Sequence, residues 1–176
     1  ATAALTLTVS GCSSSWEEEV LLSDGRTMVI QREVLRESGG DEWAVNRKGS
    51  KLKQFVIRFQ SPDKPRREIE WRGVKTSPTK WPEHPLILDI ESGHFIIFTE
   101  VGDSPGCGNF SKYIESNGIW IEEALPESFE PKTSNLLIHD YKGIPSRVSL
   151  ETKRKRNADA TAAPFMRVGP KRISCW

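Results

Sequence analysis

Residues 85–102, PLILDIESGHFIIFTEVG, decide how the chain is to be read. Two apolar runs, from Leu86 to Ile90 and from Phe95 to Val101, flank Glu91-Ser92-Gly93-His94. Side chains alternate across a strand, so Leu86, Leu88 and Ile90 are expected on one face. In the second run Phe95 and Ile97 alternate with Ile96 and Phe98, which makes both faces apolar. A strand of that kind belongs at the centre of a sheet covered on both sides. Gly93 supplies the positive φ that a tight reversal needs, so the pair reads as a hairpin.

The same alternation extends outward in both directions. Upstream, EVLLSDGRTMVIQREVL places two β-rich runs around Ser23-Asp24-Gly25, a short-range turn signal. KLKQFVIRF sets Phe55, Ile57 and Phe59 on one face, and REIEWRGV does the same with Ile69 and Trp71. Downstream, FSKYIESNGIWIEEAL turns at Asn117-Gly118, and NLLIHDY, residues 135–141, reads as a last strand. About nine strands with no helical period predict an all-β fold, an antiparallel β-sandwich or partly closed barrel. The single all-β domain is expected over residues 17–150. Two polar stretches, residues 36–50 and the proline-rich 75–85, read as long loops.

Charge narrows the partners. Lys plus Arg number 25 against 24 Asp plus Glu, so no overall field draws the chain to nucleic acid. Apolar residues are 36% of the chain, but six Trp and seven Phe supply bulk for a core. Past residue 150 the composition turns charged and then small, and residues 151–176 are expected to be a basic, flexible tail. Its run Lys153-Arg154-Lys155-Arg156 reads as solvated, with anionic lipid as an alternative contact. Glu17-Glu18-Glu19 likewise reads as a solvated run.

The first sixteen residues carry an address. Residues 3–9, AALTLTV, are uncharged and too short to cross a bilayer, but they suit the apolar region of a secretory signal. Val9-Ser10-Gly11-Cys12 then resembles the lipobox of bacterial lipoproteins: an aliphatic residue, two small ones and the cysteine that receives the lipid. The resemblance implies cleavage before Cys12, lipidation of Cys12, and a membrane anchor. Residues 1–11 become a signal-peptide remnant and residues 12–16 a lipidated tether, with Ser13, Ser14 and Ser15 as its flexible part. No Met, Lys or Arg precedes the apolar run, so the chain reads as beginning inside the signal. With Ser13 after the cysteine, the resemblance also implies outer-membrane sorting, facing the periplasm.

Chemistry is sparse. Cys107 lies in the glycine-rich stretch Gly102-Asp103-Ser104-Pro105-Gly106-Cys107-Gly108. It is a candidate disulfide partner of Cys175, a free thiol, or a nucleophile served by His84, His94 or His139. The cell-wall peptidases that use Cys and His place the cysteine at a helix start after an Asp, which this sequence lacks. The histidines lack zinc spacing, and no metal or cofactor is expected. Trp81, between Lys80 and Pro82, and Trp43 are candidate partner contacts, whereas Trp71 and Trp120 lie in strand patterns and read as core. The function expected is a non-catalytic binding, assembly or protective role in the envelope. The alternatives are a periplasmic immunity or inhibitor protein, and an envelope hydrolase using Cys107.

Overall fold

The computed structural model describes residues 13–38, 50–62, 67–77, 81–102, 109–125, 128–138, 144–158 and 167–168. Cys12, Trp43, Cys107, His139 and Cys175 lie outside them.

Two successive meanders form the two faces of a β-sandwich. The first comprises β1 (Ser13–Leu21), β2 (Thr27–Ser38), β3 (Ser50–Gln60) and β4 (Glu68–Arg72). The second comprises β5 (His84–Glu91), β6 (His94–Val101), β7 (Asn109–Ser116) and β8 (Ile119–Glu123). β9 (Lys132–Thr133) follows, and β10 (Arg147–Val148) returns to the open edge of β1, the one parallel pairing among the described residues. A helix, α1 (Leu150–Ala158), comes next, and β11 (Arg167–Val168) pairs with β9. The sheets are therefore of order β10-β1-β2-β3-β4 and β5-β6-β7-β8, with a small β9/β11 ribbon. They stay open and do not close into a barrel.

The turns sit where the glycines require them. Asn117 and Gly118 both have positive φ (52° and 89°), as do Ser92 and Gly93 (51° and 80°), and two such residues give the primed turn that matches strand twist. Between the sheets, Trp16, Ile30, Phe55, Ile57, Ile69 and Trp71 from the first meander meet Leu88, Phe95 and Ile97 from the second. On the far face of the second sheet, Ile87, Ile96 and Phe98 pack under Ile138, Val168 and Phe129. The two apolar faces of residues 85–102 thus serve two cores. The outer face of the first sheet keeps its polar row, with Glu17, Gln31, Arg58 and Glu70 aligned across four strands.

Five readings need correction. The register slips between Pro85 and Ile87, and Leu86 joins the outer core while Leu88 faces the inner one, so the two do not share a face. Residues 135–138 are not a strand. Asn135 instead caps β5, its Oδ1 accepting from Leu88 N (3.0 Å) and its Nδ2 donating to the Leu88 carbonyl (2.8 Å). Leu136, Leu137 and Ile138 are buried all the same, which is why their sequence looks like a strand.

Ser13, Ser14 and Ser15 are no tether, since they pair with Leu35, Val34 and Glu33 as the first residues of β1. Glu18 is not solvated but fully buried. Nor is the basic run a loose tail: Ser149 caps α1 by accepting from Thr152 N at 3.1 Å, Glu19 accepts from Leu150 N at 3.2 Å, and Lys153 is buried.

Candidate functional site

The segment that carries the chain from the first sheet to the second presents the clearest candidate surface. It leaves β4 at Gly73, whose N–H donates to the Phe55 carbonyl (3.1 Å) and whose carbonyl accepts from Gln54 Nε2 (2.8 Å). Thr76 and Pro82 then form an isolated bridge. Within it Ser77 N donates to the Trp81 carbonyl (2.8 Å), and Trp81 N donates to Ser77 Oγ (3.0 Å). Trp81, inside this bridge, is 49% exposed, and Val74, two residues before it, is 75% exposed.

A buried carboxylate fixes that loop. Glu83 is fully buried, and its Oε1 accepts from Thr99 Oγ1 of β6 (2.7 Å) and Tyr113 Oη of β7 (2.8 Å). Its Oε2 accepts from the backbone N–H groups of Val74 (3.2 Å) and Lys75 (3.3 Å). Four donors satisfy one carboxylate, so its burial is offset by hydrogen bonds. Burial, and then the hydrogen bond to the Glu83 carboxylate, raises the Tyr113 hydroxyl above its ordinary range, so it stays a donor. Lys75 completes the clamp: its Nζ donates to Ser111 Oγ (3.0 Å), ion-pairs with Glu122 of β8, and lies 5.8 Å from the Tyr113 ring centre. The hydrogen bond from Lys75 holds the Glu122 carboxyl below its ordinary range against the opposing effect of burial, with help from Ser111 and the Lys75 charge.

A second polar centre lies between β1, β2 and α1. Glu18 Oε2 accepts from Arg32 (3.0 Å) and Trp16 Nε1 (3.1 Å), and its Oε1 accepts from Leu137 N (2.7 Å) and Lys153 Nζ (3.2 Å). Arg32 also donates to the Leu137 carbonyl (2.8 Å) and sits 5.1 Å from the Trp16 ring centre, but its second terminal nitrogen, also buried, has no partner. Burial would push Glu18 up, yet Arg32, Lys153 and the Leu137 amide together hold it below its ordinary value. For Lys153 burial wins, and its ammonium is pushed down despite Glu18. No charged atom of this centre is open to solvent, so its work is to seat α1 on the sheet. Beside it, Leu21, Ser134, Asn135, Leu150, Lys153 and Arg154 line a half-open, mainly apolar pocket of about 140 Å³.

Of the residues that sequence singled out, Trp81 is exposed as expected and Trp71 is core. Trp120 is half-buried against the inner core, and its indole N–H closes the β4 edge by donating to the Glu70 carbonyl (2.7 Å). His84 stacks on Phe55 (4.7 Å between centres), while His94, at the opposite end of the hairpin, donates from Nδ1 to the Glu115 carbonyl (3.1 Å). The two imidazoles are thus separated by the length of β5. Among the described residues no cluster of His, Cys, Asp and Glu could hold a metal. The Glu83 and Glu18 centres were missed, because their partners come from distant elements. No family model, curated protein or solved structure matches the chain.

Proposed function

We propose that the chain is a lipid-anchored, non-catalytic binding module of the bacterial envelope, facing the periplasm, with the Glu83-clamped loop as its contact surface. The observation that carries the binding role is that Trp81 and Val74 stay exposed on a loop whose backbone is held by a buried carboxylate. An apolar surface ordered in advance loses little conformational entropy when it is covered. Tryptophan is also the residue most enriched where binding energy concentrates. The address rests on the Val9-Ser10-Gly11-Cys12 pattern.

Intact mass and detergent partitioning of the full-length gene product, beside Cys12→Ser, test the address. A diacylglycerol-type mass lost together with partitioning in Cys12→Ser supports it, and an unmodified chain that still begins before Cys12 sinks it. A photo-reactive amino acid in place of Trp81, activated in intact envelopes, tests the surface. An adduct is expected, and none would remove Trp81 from the contact.

A further inference from the structure

The strand registers determine which end of the sandwich each loop occupies. Ser13 pairs with Leu35, Leu35 with Gln54, and Gln54 Nε2 reaches the Gly73 carbonyl at 2.8 Å. These residues form one transverse row across the first sheet. β4 runs toward that row and β5 starts there, with His84 stacked on Phe55, the neighbour of Gln54. The loop carrying Val74 and Trp81 therefore crosses between the sheets at the end where β1 begins. Cys12 precedes Ser13 by one residue. The offset from β1 to β4 within the sheet is three strand spacings, about 14 Å.

We propose that the exposed side chains of Val74 and Trp81 are the protein's seat in the headgroup region of a phospholipid bilayer, beside the lipid on Cys12. This deepens the anchoring reading above and rests on it. With β1 already paired at Ser13, little slack separates the lipid from the folded domain. A domain held that closely must bring one end to the membrane, and the register makes it this end. Indole suits that depth, being apolar in body with one polar N–H.

Among the described residues, the exposed carboxylates that the registers place at this end each lie against a lysine: Glu37 with Lys51 (3.0 Å), Glu122 with Lys75, and Glu123 with Lys112 (3.1 Å), which Glu123 shares with Glu91. The backbone N–H groups of Val74, Lys75, Ser77 and Trp81 are already held by hydrogen bonds within the domain before they meet the lipid.

The test uses lipid-bearing protein in vesicles of phosphatidylethanolamine and phosphatidylglycerol whose acyl chains are brominated near the glycerol. Wild type is compared with Trp81→Phe, whose exposed site tolerates the change, so that the difference in emission isolates Trp81 from the other tryptophans. Bromine is expected to remove most of that difference, and the amides of residues 74–77 and 81–83 to exchange more slowly in vesicles than in the soluble Cys12→Ser chain. If the mass shows lipid but Trp81 is neither quenched nor its loop protected, the seat is overturned and the anchor stands. A photo-adduct from position 81 with protein alone also overturns it. A chain without lipid overturns both readings.

Discussion

Glu18 is the residue on which the C-terminal part of the fold turns. It neutralises one of the two cations it touches, and in its absence Arg32 and Lys153 would face each other buried without a counter-charge. Glu18→Gln is expected to cost about 3–5 kcal/mol, the usual penalty for orphaning a buried charge. Lys153→Met keeps the Glu18–Arg32 pair and much of the packing; it loses the hydrogen bonds to Glu18 and to the Asn135 carbonyl but also relieves the burial of an ammonium, for a net cost of about 1–2 kcal/mol. Urea unfolding of the two variants should rank them in that order.

The same residues set the pH response. Folding lowers Glu18 below its ordinary 4.5, so its contribution is complete above that pH and is lost as pH falls through the folded value. Folding lowers Lys153 below its ordinary 10.5, so in the window between its folded value and 10.5 the unfolded chain holds more protons and stability rises with pH. Unfolding free energies measured across both windows should lose the alkaline rise in Lys153→Met and the acid loss in Glu18→Gln.

At the scale of elements, glycines with different jobs should respond differently to alanine. A Cβ on Gly73 would lie 2.9 Å from the Glu83 carbonyl oxygen and 3.3 Å from the Trp71 ring, both held firmly. Gly73→Ala should cost about 1–3 kcal/mol and loosen the loop, seen as faster exchange of the Val74 and Lys75 amides. Gly118 has open space around it but φ of +89°, so Gly118→Ala should cost only about 1–2 kcal/mol and leave that loop untouched.

Elements were legible in sequence to the extent that one local rule decided them. Asp24-Gly25, Ser92-Gly93 and Asn117-Gly118 mark three hairpins, because a positive φ is a property of the residue itself. The bulge at Leu86 is illegible, since Leu86, Ile87 and Leu88 are all apolar and any register keeps them buried. Leu136 to Ile138 were misread because burial alone produces the same letters as a strand. α1 escaped because it has no apolar stripe: it is held by a capping serine and a buried lysine, and neither leaves a period. Trp81 was legible as a surface residue from its prolines, but the clamp beneath it draws on β6, β7 and β8 and has no sequence signature.

Over the whole molecule, two meanders of sequence-local hairpins are joined by one crossing segment, and among the described residues β10 is the one strand that pairs back to β1 over a long stretch of chain. Opening should follow that division. β10 and α1 are held by a two-residue pairing and the Lys153 contact, so they are expected to exchange amide hydrogen before the interior strands β2, β3, β6 and β7. Lys153→Met should speed exchange in α1 without changing the order among the interior strands, as measured by hydrogen-exchange mass spectrometry.

The return of β10 also gives the molecule a polarity. Running parallel to β1, it delivers α1 to the level of Glu19 and Leu21, the opposite end from Ser13. From Ser13 to Leu21 a strand climbs about 26 Å. A charged surface is screened over about 8 Å at physiological ionic strength. In a chain fastened at Cys12, Arg154 and Lys155 would stand several screening lengths above the headgroups, which leaves them no part in holding the lipid. Like Arg26 of the β1–β2 turn, they would face the aqueous side, so under that anchoring the two ends of the sandwich would meet chemically different surroundings.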